Sequence, residues 1–185
     1  MIRFTCALIA LTLSACTQLQ TASTPETEAA AKMAASEAMQ KEARVLNRMV
    51  AILSDANTLY AEAANMSKDD EVTVELAGLA AERRKFGHDL QAHVAELGAV
   101  PVQRGEALGT AHRAWTKGRA LVQDDTLIAA EEVLRGENYL VDEIEVMLDK
   151  HLSASTRVML ERELANIVDD RDRLAGVCRD LAKRN

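Results

Sequence analysis

Apolar side chains recur at spacings of three and four along four long stretches of this chain, and little in those stretches would stop a helix. Leu46, Met49, Leu53, Ala56, Tyr60 and Ala63 form the first stripe. Leu76, Leu79, Phe86, Leu90, Val94 and Leu97 form the second. Leu127, Ala130, Leu134, Val141, Ile144 and Leu148 form the third, and Leu160, Leu164, Ile167, Leu174, Cys178 and Leu181 the fourth. Residues three or four apart share one helix face, so each stripe marks a helix with one side to bury. The only two prolines, Pro25 and Pro101, fall where helices should start or stop. Aromatics are scarce and Ala, Leu, Glu and Arg abundant, which favours helix throughout.

The boundaries are written just as locally. Thr24-Pro25-Glu26 supplies a capping hydroxyl, a proline for the first turn and an acid near the positive end of the dipole. Ser67-Lys68-Asp69-Asp70 predicts a turn and a new cap, and Gly98 followed by Pro101 a stop. Asp124-Asp125 caps a third long helix, whose end Lys150-His151 complements, and Ser153 restarts the chain. Leu108, Ala111, Trp115 and Val122 suggest a shorter helix between the two helical pairs. About 18 helical residues cover some 27 Å, enough to carry the chain from one end of a bundle to the other. The single crossover of ferritin-like folds does this. The expectation is an all-α, ferritin-like four-helix bundle with an additional short crossover helix between the second and third long helices. Its domain runs over 45–183 and is preceded by a helical stalk, or extension of the first helix, over 26–44.

The N-terminus has a different character. Met1-Ile2-Arg3 leads into the apolar run Phe4 to Leu13, and Leu13-Ser14-Ala15-Cys16 closes it. One cation, about ten apolar residues and then small residues are the layout of a secretory signal. The Cys directly after Leu-Ser-Ala makes it resemble a bacterial lipoprotein signal. That resemblance implies removal of residues 1–15, lipid attachment at Cys16 and a flexible tether over 16–25. The run is too short to cross a bilayer, which takes about 20 apolar residues, whereas several acyl chains anchor a protein stably. Thr17, where enteric lipoproteins kept at the inner membrane carry Asp, implies the periplasmic face of the outer membrane of a Gram-negative bacterium.

Charge and cysteine content exclude several classes. The formal net charge of −7 argues against nucleic acid and against anionic lipid surfaces as partners. Cys6 leaves with the signal and Cys16 is alkylated, so Cys178 stands alone and the domain has no internal disulfide. A lone Cys on an apolar stripe reads as a small buried hydrophobe, against the alternative of a reactive thiol. Without a Cys-x-x-Cys pair, thiolate zinc sites and thioredoxin chemistry fall away.

Several short motifs, in order, resemble a known family. They are Leu46-Asn47 with Asp55 and Tyr60, Leu79-Ala80-Ala81-Glu82-Arg83 with Phe86 and Leu90, His112-Arg113-x-Trp115, and Arg135-Gly136-Glu137. Over about residues 45–182 the chain resembles the ferritin-like bundle family catalogued as domain of unknown function 2383. The resemblance implies a four-helix bundle and no established activity. One departure is Arg171, where members often show His.

Ferritin-like bundles hold two metals with Glu on two helices and Glu-x-x-His on the other two. That pattern fails here: Glu82 is followed at plus three by Lys85, Glu137 by Leu140 and Asp170 by Arg173. None of His88, His93, His112 and His151 stands at plus three from those acids. Glu137 nevertheless interrupts the third stripe, and Arg171 falls inside the fourth. Folding the helices back on each other brings Asp55, Glu82, Arg83, Glu137 and Arg171 toward one level. The expectation is a buried ion-pair layer of these five, with guanidinium groups in the role of metals. The alternatives are boundary residues reaching solvent and a non-standard metal site. Gly136, beside Glu137, would permit close helix contact or make room for a ligand.

Taken together, the sequence points to a non-enzymatic lipoprotein without a cofactor, serving interaction or envelope stress support, with an unidentified envelope protein or a second copy as partner. The rival reading is a metal-binding bundle, a di-iron or di-manganese oxidase or metal-handling protein using Fe or Mn.

Overall fold

A computed structural model describes residues 24–103 and 125–184. It places four helices, α1 (Pro25–Met66), α2 (Asp70–Glu96), α3 (Asp125–Leu148) and α4 (Ala154–Arg184). The proposed signal, Cys16, most of the tether and the crossover residues 104–124, with His112 and Trp115, lie outside the described residues. No described helix is long and apolar enough to cross a membrane.

The helix ends follow the local chemistry. Thr24 caps α1: its backbone oxygen and side chain accept from Thr27 N at 2.9 and 3.4 Å, with Pro25 in the first turn. Asp69 caps α2, its Oδ1 accepting from Glu71 N at 3.1 Å and Val72 N at 3.2 Å. Gly98 ends α2 at φ +76, and Ala99 N reaches back to Val94 O at 3.2 Å. This is a left-handed cap that a side chain would strain. Asn47 on α1 then grips the departing chain, donating to Val100 O at 3.0 Å and accepting from Val102 N at 2.9 Å.

α1 rises, α2 descends, α3 descends and α4 rises. At the upper end Lys68 N donates to Thr126 Oγ1 at 2.9 Å and Arg184 Nη1 to Asp69 Oδ2 at 3.3 Å. At the lower end Ser153 N donates to Glu42 Oε2 at 3.2 Å, and Arg157 Nη2 to the last-turn carbonyl of Leu148 at 2.9 Å. α2 therefore ends and α3 begins at opposite ends of the bundle, the arrangement a single crossover creates. α1 packs on α2 and α3, and α4 on α3 and α2.

One continuous helix makes both the stalk and the first core element. Pro25 to Lys41 is exposed along its whole length, a segment of roughly 25 Å at 1.5 Å per residue. Burial begins at Glu42 and Ala43, just ahead of the boundary at 45 expected from the stripe. The core is then drawn from all four stripes: Leu46, Leu53, Leu76, Leu90, Ile144, Leu160, Ile167 and Leu174 are fully covered or nearly so. Cys178 closes the fourth stripe as a buried thiol, with its pKa pushed up to about 11 by burial. It stays protonated at neutral pH and is a poor nucleophile.

Gly136 allows a close approach of α3 to Tyr60 on α1. A Cβ built there would lie 2.6 Å from Tyr60 Oη. Gly78, on the exposed face of α2, would meet nothing within 4 Å. The two glycines should therefore respond oppositely to Ala. Gly78→Ala is expected to stabilise by about 0.5–1 kcal/mol through helix propensity. Gly136→Ala should lose about 1–3 kcal/mol to overpacking despite the same gain. Denaturant melts of both variants check this, and equal shifts in the same direction would refute the close contact.

Candidate functional site: an ionic layer at the bundle centre

Arg83 extends from α2 into the middle of the core, where it is only 2% exposed. Its position follows from the α2 stripe, since Leu76, Leu79, Arg83, Phe86 and Leu90 lie on one buried face. Its Nε donates to Glu137 Oε1 at 2.9 Å, and its Nη2 donates to Glu137 Oε2 in the second arm of a bidentate pair. The same Nη2 donates to Asp170 Oδ2 at 2.7 Å. Three helices meet at one guanidinium. Arg173 extends the network toward the surface, donating from Nη2 to Asp170 Oδ1 at 2.8 Å and from Nε to Glu75 Oε1 at 2.6 Å.

The electrostatics follow from that geometry. Burial opposes the Arg83 charge, yet the hydrogen bonds and charges of Glu137 and Asp170 outweigh it, so the guanidinium is held more firmly protonated than in water. Burial alone would raise Asp170, but Arg83 holds its carboxyl below the usual range. Glu82 stands 3.7 Å from Arg83 Nη1 at the mouth of a cleft between α2 and α4, and its carboxyl is raised by burial and by Asp170 beside it. Tyr60 from α1 closes the fourth side. Its phenol is fully buried and raised well above its ordinary value, by burial first and then by the Glu137 charge. No hydrogen bond of ordinary geometry ends on its hydroxyl among the described residues.

The five residues expected to share a layer do not all do so. Arg83 and Glu137 meet at the centre, and Glu82 stands at the rim with its side chain 56% exposed. Asp55 is half-buried on α1 and is not among the hydrogen-bond partners of Arg83 described above. Arg171 is the correction. It lies outside the layer, where it pairs with its neighbour Asp172 at 2.7 Å. Between Ile167 and Leu174 either 170 or 171 continues a three-and-four stripe, and adjacent helix positions differ by about 100° in direction. The bundle turns Asp170 inward, because a buried Arg83 takes a second carboxylate and would repel a second guanidinium. In the sequence Asp170 stood out only as a failed metal-motif acid, and Tyr60 as a stripe residue and part of a family motif, neither as a member of the layer.

A second polar cluster, which the stripes did not reveal, ties the lower end. Glu42 of α1 reaches the start of α4, where its Oε1 accepts from Ser153 Oγ at 2.6 Å and from the hydroxyl of buried Thr156. Those hydrogen bonds outweigh burial and hold the Glu42 carboxyl below its ordinary value. His93 of α2 joins through Nε2 to Thr156 Oγ1 at 2.6 Å, and its Nδ1 faces Glu96 Oε2 at 3.0 Å. A carboxylate over a helix N-terminus satisfies donors that the helix leaves open. Glu132 on α3 is also fully buried, with Arg135 3.2 Å from its Oε1.

These donors do not suit the two-metal centre of ferritin-like bundles. The central carboxylates, Glu137 and Asp170, are already bound to a guanidinium. Among the described residues no group of three or more His, Cys, Asp and Glu side chains could hold a metal ion. The arrangement binds and orients charge.

Residues 41–150 match the model of a family described as Domain of unknown function (DUF2383), which is more than half of the chain. A comparison with curated proteins returns no match.

The layer's geometry sets the expected outcome for three variants. Arg83→Met should destabilise the bundle by about 3–5 kcal/mol, because the buried Glu137 loses its guanidinium and Asp170 keeps only Arg173. Replacing all three by apolar residues of similar size should recover most of that loss. Arg171→Leu should change stability by less than about 0.5 kcal/mol. Chemical denaturation of the three variants decides, and a larger loss at Arg171 than at Arg83 would overturn the assignment.

Acid titration tests the same carboxylates. A folded pKa held down contributes stability that is present above the unfolded value and lost as pH falls through the folded one. For Asp170 and Glu42 that places the loss below about pH 4, with little change between pH 7 and pH 5. Glu82, raised instead, works in the opposite sense and sets in at higher pH. A thermal midpoint that keeps rising from pH 5 to pH 2 would contradict both depressed groups.

Proposed function

We propose that this chain, which belongs to the DUF2383 family, is a non-enzymatic lipoprotein. An acylated Cys16 holds the bundle at the periplasmic face of the outer membrane of a Gram-negative bacterium, and the bundle serves there as an interaction or envelope-support module. The observation that carries the non-enzymatic part is Arg83. A ferritin-like bundle concentrates inward acids at its centre to hold two cations. Here a fixed guanidinium takes two of those acids, one of them in a bidentate grip, and Arg173 takes the other oxygen of Asp170, so the chain itself supplies the counter-charge for both. A side chain in that role gives the core specificity and rigidity without redox capacity.

The anchor rests on the run from Phe4 to Cys16, and the long α1 fits it as a spacer. Its exposed segment, Pro25 to Lys41, would join the anchor to the lower end of the bundle. The buried, protonated Cys178 leaves Cys16 as the reactive sulfur of the proposed mature chain.

One preparation tests both parts. The full chain, produced in a Gram-negative host and purified without chelator, is expected in the detergent-soluble membrane fraction with metal well below one ion per chain. Cys16→Ser should abolish acylation and free the protein from outer-membrane lipid. About two iron or manganese ions per chain would replace this reading by the metal-handling one, and an unacylated wild-type protein would remove the anchor.

A further inference from the structure

The lower half of the α1–α3 face carries a groove of about 400 Å³ that neither the ionic layer nor the family accounts for. Four cations line it, Lys41, Arg44 and Arg48 from α1 and Lys150 just past α3, together with one carboxylate, Glu143. Arg48 takes that carboxylate, its Nη2 lying 2.9 Å from Glu143 Oε1. Lys41, Arg44 and Lys150 are exposed, and no ion pair engages any of them among the described residues. This is not for want of acids, since the chain has 29 Asp and Glu against 22 Lys and Arg. Between the cations the groove is apolar. Val45 and Met147 form its floor, and Val146 stays 54% exposed on its wall.

We propose that this groove seats the headgroup of an anionic phospholipid, its phosphate among Lys41, Arg44 and Lys150 and its glycerol–acyl root over Val45 and Val146. The charge pattern asks for an anion, and the exposed valine asks for an apolar cover on the same ligand. A free inorganic anion would satisfy the first and leave the second wet. The volume lies in the range of small-ligand sites.

Overall charge weighs against an anionic surface at a distance, as the sequence implied. Screening limits that repulsion to about 8 Å at physiological salt. On contact the groove's own unpaired cations set the local potential. Placement agrees with this. The groove lies at the end of the bundle from which the exposed segment of α1 departs toward the N-terminus, so a chain tethered there would present this end to the membrane. Headgroup binding does not itself depend on the tether, and its failure would leave the proposed anchor standing.

The test titrates the purified full chain with dihexanoyl phosphatidylglycerol, kept below its micellar concentration, and follows binding by calorimetry. Parallel arms use dihexanoyl phosphatidylcholine, inorganic phosphate and an acidic amphipathic peptide. Saturable binding of the glycerol lipid, at least tenfold tighter than in every other arm, is expected. The combined variant Lys41→Glu, Arg44→Glu and Lys150→Glu should lose at least tenfold with an unchanged circular-dichroism melt, because all three side chains are exposed. Val146→Asp should weaken binding as well, and Arg162→Glu with Lys183→Glu, distant exposed cations, should not. Equal binding of inorganic phosphate would reduce the groove to an anion site and overturn the lipid. Equal binding of the choline lipid would remove the charge argument, and preference for the peptide would assign the groove to a protein partner. An equal loss in the distant control would make the effect one of net charge alone.

Discussion

A guanidinium at the centre of a helical bundle has to be answered by carboxylates from other helices, and Arg83 imposes that condition on everything around it. It fixes the rotation of α3 by requiring Glu137 and of α4 by requiring Asp170. A one-residue slip of either helix would move the acid about 100° away and strand the charge. Apolar packing alone is more forgiving, because Leu, Ile and Met can exchange places along a stripe with modest loss. The ionic layer therefore acts as a register device, and the hydrophobic stripes above and below it supply most of the burial.

The polar ties are spread along the bundle's length. At the lower end Glu42 bridges α1 to the start of α4, and His93 brings in α2. At the upper end Asp69 caps α2 and receives Arg184 from the end of α4, while Lys68 reaches Thr126. Each tie joins segments distant in sequence and satisfies backbone donors or charges that a helix end or a buried side chain leaves open. With the centre and both ends tied, a shift of any one helix would break polar contacts at these levels.

The same economy bears on function. Glu137 and Asp170 are held by a guanidinium, and among the described residues no group of three or more His, Cys, Asp and Glu side chains could hold a metal ion. What the bundle offers lies outward: a long exposed helical segment on one side and, at the same end, a local excess of unpaired positive charge on an otherwise acidic molecule.

The four long helices, most of their described ends and their buried stripes were determined by local sequence, because capping, proline and glycine placement and three-and-four spacing act within a few residues of one another. Thr24, Asp69 and Gly98 did what their neighbours required of them. The inward turn of Arg83 and Glu137 was legible for the same reason, since each interrupts a clear stripe. The choice of Asp170 over Arg171 was not, because both positions satisfy the periodicity and only the charge of Arg83, on a different helix, separates them. Glu42 was hidden in a stretch that reads as solvated, and it became a buried clamp only when α4 began beside it. Tertiary structure decided those two roles because a charge is placed by its partners, and partners 87 and 111 residues away leave no trace in local spacing.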